Sequence, residues 1–343
     1  MKHWKSILSA LKPRSSSQKA GMFLTCVSLA IWLIFIMAMW SGSDRIAALL
    51  LLPVWLVTIT AVAPALLAWL WAREWLAFGT VILWTLTAIM VSDVFQGIGR
   101  IGLDQDPARI ANERLTWKII SIDCRNGSSV PAEILQPIHP DVIFLQNLQH
   151  IDQAQTLAVD LFGVNPSIRT NGNNAIIVRH GQLAQAWPII GNGSFIVDWS
   201  PDRTVVPVRL VNVNLTPGPE NRNLFSADCW KAHAETRATH RKEIDSLLEA
   251  LKNMGRRAGE IPVICAGAFY SPPQSPVFDP FLHVMTDAYG SSGVGYGATC
   301  PSDFPILRLH RIGFTSPLRS VHSSTLYIPG LAAYAVMADI KPL

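Results

Sequence analysis

Charge is what this chain has least of. Only 15% of its 343 residues are Asp, Glu, Lys or Arg, and the formal net charge is +4. That balance gives no basis for a broad basic face of the kind that grips nucleic acid, so nucleic acid is not expected as a partner. Cysteine is sparse: Cys26, Cys124, Cys229, Cys265 and Cys300 form no CxxC pair, which argues against a structural zinc site. There is no HExxH: His233 and His240 stand seven apart beside Arg237 and Arg241, the pattern of a solvated basic helix face. The glycines Gly290, Gly293, Gly295 and Gly297 lack a following GK[ST], so they read as a flexible rim loop and not a phosphate cradle. Ser271 and Ser275 have no His and Asp at a spacing that suggests a serine hydrolase.

What is abundant is apolar sequence, and it is concentrated before residue 96. Residues 1–20 form a tail with Lys2, Lys5, Lys12, Arg14 and Lys19 and no acid. Three apolar runs follow within 21–95: Gly21–Trp40, Ile46–Ala72 and Trp75–Phe95. Each is long enough for a hydrocarbon core of roughly 30 Å. Trp40, Trp71 and Trp75 stand near their ends, where an aromatic belt sits. The first run is too long for a cleaved leader. The basic tail favours a cytoplasmic N-terminus, and three crossings then put the rest in the periplasm or outside the cell, in bacterial style. The expected localisation is thus multi-pass membrane, with the lipid bilayer as partner. Apart from Asp93, near the end of the third run, the runs hold no charged residue, and none marks a transport path, so simple anchoring is expected.

After a linker at 96–114, residues 115–343 read as one α/β domain. Strands are expected at LTWKIISID, ending near Asp123, and at DVIFLQ, Asn174–Arg179, Leu183–Ile190, Phe195–Trp199, Thr204–Leu215, Ile261–Cys265, Pro305–Thr315 and Tyr334–Ile340. Helices are expected at Val130–Ile138, Ile151–Phe162 and Trp230–Asn253. Strands with interspersed helices imply a two-sheet α/β sandwich. Cys124 and Cys265 fall in core strands, while Cys229 and Cys300 sit in loop-like contexts and are the better pair for a disulfide. Arg203 and Arg209, in RTVVPVRL, fit cross-strand surface pairing.

The stretch IPVICAGAFYSPPQSP, Ile261–Pro276, is a buried strand that ends in a glycine-containing turn, where α/β folds place chemistry. Together with KIISIDCRNG, PDVIFLQN, NGNNAIIVR, RTVVPVRLVNVNLTPG, TRATHRKEIDSLL, RLHRIGFTSP and YAVMADI it resembles, in order, the motifs of the endonuclease/exonuclease/phosphatase superfamily. The resemblance covers about residues 115–341. It implies a metal-dependent phosphoesterase fold whose catalytic groups meet on one rim. Such enzymes hold Mg²⁺ with carboxylates and activate water with a His–Asp pair.

The same resemblance marks what is missing. An Asn usually ends the first strand; here it is Asp123. The metal-binding Glu of FLQE is Asn147. The His of NVHL is Asn214. The Asp and Asn of GDFN are Ala268 and Tyr270. The Asp of DRI is His310. The closing Asp and His are Ala333 and Tyr334. Alanines hold neither metal nor base, and a tyrosine with its ordinary pKa near 10 is a poor base at neutral pH. The expectation is a membrane-anchored pseudoenzyme that acts by binding or scaffolding, with no cofactor. A residual pocket at Asp123, Asn147, Arg203, Asn214 and His310 would take a protein or a phosphorylated ligand. The alternative is a divalent-metal phosphoesterase with a rewired site, using Mg²⁺ or Mn²⁺; Asp123 and Asn147 would then be its weak ligands.

Overall fold

The computed structural model describes residues 15–73, 75–102, 116–125, 129–164, 166–189, 191–202, 206–221, 223–258 and 261–342. The tail up to Arg14, the linker from 103 to 114, Leu115 and Arg203 lie outside the described residues. The chain divides into two units. One holds residues up to Ser41 and Leu52–Ser92; the other holds Gly42–Leu51 and Asp93–Leu343.

The first unit is three helices: α1 (Ser16–Trp40), α2 (Val54–Ala72) and α3 (Trp75–Val91). Ser15 starts α1 with a capping box: its Oγ accepts from Gln18 N at 3.2 Å, and Gln18 Oε1 accepts from Ser15 N at 3.0 Å. The apolar run expected over Ile46–Ala72 is broken at Pro53, which directly precedes α2 and has no N–H to continue a helix from upstream. Asp44–Leu51 instead forms a separate 3-10 helix. The third run also ends early, at Val91, before a short helix α4 (Asp93–Gly99). Two helices, of 25 and 19 residues, are long and apolar enough to cross a membrane, not three; α3 has 17 residues. Small residues fill the helix contacts: Ala61, Ala65, Ala68 and Ala77 are fully buried, and Ser28 Oγ donates to Ala61 O at 2.7 Å. Phe23, Met37, Leu70 and Met90 point outward. Trp84 and Phe35 are buried beside these alanines, but many of the large apolar side chains face outward, as in helices that pack in lipid.

The second unit contains strands β1 (Trp117–Asp123), β2 (Val142–Gln146), β3 (Ser167–Asn171), β4 (Asn174–Val178), β5 (Gln182–Leu183), β6 (Trp187–Pro188), β7 (Phe195–Ser200), β8 (Val208–Asn214), β9 (Val263–Ala268), β10 (Thr286–Asp287), β11 (His310–Phe314), β12 (Leu318–Leu326) and β13 (Ala335–Pro342). Its further helices are α5 (Ala132–Leu135), α6 (Asp152–Phe162), α7 (Ala227–Ala258), α8 (Asp279–Val284) and α9 (Ala288–Ser292). One sheet runs β12-β13-β1-β2-β4-β3, the other β10-β11-β9-β8-β7-β5, with β6 beside β7. Phe144, Ile176, Phe195, Trp199, Leu210 and Ile264 pack between them. Leu135 and Leu157 close one outer face, from α5 and α6; Ile244, Leu247 and Phe281 close the other, from α7 and α8. This is the expected sandwich, with helices on both outer faces.

The differences from expectation have physical causes. Strands β3 and β12 are not anticipated, because both are edge strands of one sheet with polar sequences, SIRTN and LRSVHSSTL. Within the expected Thr204–Leu215, of which Thr204 and Val205 lie outside the described residues, strand β8 starts at Val208, just after Pro207, which cannot donate to a ladder. Leu183–Ile190 yields two short pieces, β5 and β6. Cys229 and Cys300 are not bridged: none of the five cysteines is in a disulfide, and Cys229 Sγ donates to Asn221 O. The glycine-rich segment is a packed loop, not a flexible one. Tyr289 OH donates to Gly295 O at 2.6 Å, Arg100 donates to the carbonyls of Tyr289, Gly290 and Gly293, and a Cβ on Gly297 would lie 2.2 Å from the Tyr289 ring. Arg209 pairs with Asp198 across β7 and β8 at 2.8 and 3.0 Å, but it is buried and not on the surface.

Gly267 fixes how closely β9 approaches β8. Its φ is +152°, and a Cβ there would stand 1.9 Å from Val213 O, its neighbour in the parallel register. Gly267→Ala is therefore expected to lose about 3 kcal/mol or more of stability, read as a lower midpoint in thermal or urea unfolding. An unchanged midpoint would show that the backbones can part without loss.

Candidate functional site

The C-terminal ends of the parallel pairs β1/β2 and β8/β9 meet at one rim. In register, Asp123 faces Gln146, and Asn214 faces Ala268, which in turn faces His310. Pairing thus brings the ends of five strands together. Asp123, Asn147, Asn214, Tyr270 and His310 all lie there. Ala268 and Ala333 are buried. Tyr334 is half-buried, packs at a tilt against Tyr327 and donates its N–H to Thr299 O at 2.7 Å, beside His310 but outside the central cluster.

Asp123 is the centre. Its Oδ1 accepts from Arg125 N at 3.1 Å and Asn147 Nδ2 at 2.8 Å. Its Oδ2 accepts from Arg125 Nε at 2.7 Å, Tyr270 OH at 3.1 Å and His310 Nε2 at 3.1 Å. A carboxylate offers about four lone-pair positions, and five donors converge on this one. Burial alone would raise its pKa. The hydrogen bond and charge of His310, the charge of Arg125 and the bond from Asn147 outweigh burial, and hold the carboxyl far below the usual range. Tyr270 is pushed the other way, first by burial and then by the negative charge of Asp123. It is therefore a fixed hydroxyl and not a base.

Backbone geometry aims these groups inward. Tyr270 has φ +49° and Asn147 φ +55°, both in the left-handed region that non-glycine residues seldom occupy. At Tyr270 the chain doubles back after β9, with the N–H groups of Phe269 and Tyr270 both donating to Leu309 O. The tyrosine ring then fills the hollow. Arg125 lies over it at 4.4 Å, and His310 meets it edge-on at 6.0 Å. Asn147 Nδ2 also donates to Tyr270 OH at 2.6 Å, while Asn214 Nδ2 donates to Asn147 Oδ1 at 2.8 Å and to Asn174 Oδ1 at 3.1 Å. Below this layer Gln146 Nε2 donates to Asn212 Oδ1 at 2.8 Å, joining the two sheets.

These residues do not fit the divalent cation that the fold implies. Such an ion needs free, negative oxygens. The rim's carboxylate has no free position, and a guanidinium already stands at hydrogen-bonding distance. Among the described residues, no group of three or more His, Cys, Asp or Glu could hold a metal. The line Thr299–His310–Asp123 has the order of a hydrolytic triad, with His310 Nδ1 at 2.9 Å from Thr299 Oγ1. Thr299 is fully buried and its Oγ1 already accepts from Leu309 N, so no substrate reaches it.

Sequence reasoning overlooked Arg125, Thr299, Asn174 and Asn212. Two of them carried a signal. Arg125 is two residues from Asp123, the spacing of a local side-chain pair at a strand end. Asn212 and Asn214 share the otherwise apolar face of their strand that carries Val208 and Leu210. Thr299 has no such mark.

Neither a protein-family model nor a curated protein matches this chain. Solved structures do. An endonuclease/exonuclease/phosphatase family protein from Bacteroides thetaiotaomicron aligns with TM-score 0.54 and 12% identity over 66% of this chain and 94% of its own. Another from Bacteroides vulgatus gives 0.52 and 13% over 67% and 100%. The globular part has the endonuclease/exonuclease/phosphatase fold. A mannosyl-6-phosphatase from Bacteroides thetaiotaomicron shares it, at TM-score 0.52 and 13% identity over 65% of this chain and 99% of that one. At such identities the likeness establishes the endonuclease/exonuclease/phosphatase fold and leaves the activity to the site.

The site makes a pH prediction. Asp123 has a depressed folded pKa, so its contribution to stability is present above its unfolded value, near 4, and is lost as pH falls below that. Asp123→Asn leaves the half-buried Arg125 beside a neutral group, and is expected to lose about 2–3 kcal/mol at pH 7. The gap between wild type and variant should shrink in urea titrations below about pH 4. A gap that stays constant down to pH 2 would contradict the assignment.

Proposed function

We propose that this protein is a membrane-anchored pseudoenzyme: an endonuclease/exonuclease/phosphatase fold that binds at its rim and does not hydrolyse phosphate esters. One observation carries the reading. The only carboxylate among the altered positions is saturated by Arg125, Asn147, Tyr270 and His310. Phosphoryl transfer depends on charge stabilisation and a positioned water. Here the positive charge is a covalently attached guanidinium, and the tyrosine ring takes the water's place. No cofactor belongs to this reading. The partner at the rim is a protein or a phosphorylated ligand, and nucleic acid is not one.

The anchoring reading takes all three apolar helices as spans. α3, at about 1.5 Å per residue, is near the short limit for a crossing. The outward-facing Phe23, Met37, Leu70 and Met90 support contact with lipid. With the basic tail inside, the globular unit lies in the periplasm or outside the cell. A protease-accessibility assay on sealed, oriented vesicles tests this: the domain is cut only from the outer face.

The second reading is a phosphoesterase with a rewired site that uses Mg²⁺ or Mn²⁺. Its one support is the His310–Asp123 hydrogen bond, the form of a base with its orienting acid. Both side chains are buried, which places them out of reach of a substrate.

Purified full-length chain with Mg²⁺ or Mn²⁺ is expected to show no turnover of bis(p-nitrophenyl) phosphate above buffer, and Ala268→Asp should show none either. Restoring one group restores little when the groups act together. Metal-dependent turnover abolished by Asp123→Ala would establish the second reading.

A further inference from the structure

The face of α7 bearing His233, Arg237 and His240 is not solvated, as the sequence suggests, but buried. The 3-10 helix Asp44–Leu51 lies across it, and between them is a cavity of about 150 Å³ that reaches Arg125 and Tyr270 at the rim. Leu50, Leu51, Ile306, Leu307 and Leu309 make its lining largely aliphatic. Two polar side chains in that lining are unusual. Ser275 Oγ is buried without a hydrogen-bond partner. Arg237 is 4% exposed; its Nη1 donates to Ser43 O at 3.1 Å, but Nε and Nη2 have no hydrogen-bond partner.

The nearest acid does not satisfy that arginine. Asp44 gives both oxygens to the half-exposed Arg241, at 2.7 and 3.0 Å, and stands 3.5 Å from Arg237 Nε. His233 and His240 are turned to the carbonyls of Asn221 and Thr216. Glu243 is held by Thr216. Asp279, the remaining acid that acts on Arg237, is exposed. A buried guanidinium with two unsatisfied N–H groups is costly, and such groups ordinarily have a partner. Nε and Nη2 form the side-on edge of the guanidinium, the edge that takes a carboxylate with two parallel hydrogen bonds. A cavity near 150 Å³ with an aliphatic wall holds a body of about benzene size.

We infer that this cavity is a binding site for a small organic monocarboxylate, its carboxylate on Arg237 and Ser275 and its apolar body against Leu50, Leu51, Ile306 and Leu307. The inference rests on the reading that the domain binds and does not cleave; the carboxylate lies in the cavity beneath α7, apart from the partner proposed at the rim itself. A phosphate dianion suits the site less: Arg125 in the lining is committed to Asp123, and His233 and His240 to backbone carbonyls, which leaves one arginine edge to match one negative charge.

The test is ligand-observed ¹⁹F NMR on the full-length chain in nanodiscs, with empty nanodiscs as blank. 4-Fluorobenzoate is expected to broaden saturably. 4-Fluorobenzamide, the neutral isostere, should bind at least about tenfold more weakly, as should benzoate to Arg237→Met. Ser275→Ala, a small change that should leave the fold intact, is expected to weaken benzoate about three- to tenfold. Amide binding as tight as benzoate would mean an apolar cavity only. Displacement by inorganic phosphate at equal concentration would assign the site to phosphorylated ligands. Absence of broadening would mean a cavity filled with water. Each of these overturns the inference. Phosphodiester turnover by the same preparation is scored separately, since it removes the pseudoenzyme reading whatever benzoate does.

Discussion

The rim is organised around one buried negative charge. Asp123 is 2% exposed, and an ionised carboxylate in that position is tolerated only because donors surround it. Arg125 supplies the opposite charge from two residues away, and His310, Asn147 and Tyr270 supply the remaining hydrogen bonds from three other chain segments. The positive φ of Asn147 and of Tyr270 is maintained by this demand. Remove the charge and the reasons for the Tyr270 turn, the Arg125 stack and the His310 orientation all weaken together.

That arrangement answers a problem set by the fold. The strand ends of this sandwich form a polar hollow between two apolar sheets. In a hydrolase of this kind a metal ion and its carboxylates fill such a hollow. Here an Asp–Arg pair, a tyrosine ring and an asparagine ladder through Asn147, Asn214 and Asn174 fill it instead. Gln146 and Asn212 then tie the sheets beneath it, so the filled hollow and the sheet spacing support each other. A buried polar network is stable only when every member is partnered, and this one is close to that condition. Among the described residues, Arg237 and Ser275 are exceptions near the rim, and both line a cavity.

Much of this was legible in the chain. The strand ends at Asp123, Gln146 and Asn214 could be placed because apolar runs stop there, and the altered residues fell on one rim as strand order requires. Side-chain partners were harder to read. Arg125 was passed over because a local pair leaves no periodic trace, and Thr299 because its contact with His310 depends on loop packing. The face with His233, Arg237 and His240 was misjudged for a different reason. Its charge pattern is that of a solvated helix, and what covers it lies about 190 residues earlier, in Asp44–Leu51. The edge strands β3 and β12 lack an apolar run, because their side chains are mostly polar and only partly buried. The second and third apolar runs overstated the lengths of their helices, because hydropathy does not register the break that Pro53 makes or the end of the third helix at Val91.

The central claim is that the rim's own side chains occupy the place of a catalytic metal. Isothermal titration of the full-length chain with Mg²⁺ and with Mn²⁺ addresses it most directly. The account predicts no saturable heat with either ion, for wild type and for Asp123→Asn alike. One-to-one binding in the micromolar range that disappears in Asp123→Asn would contradict it.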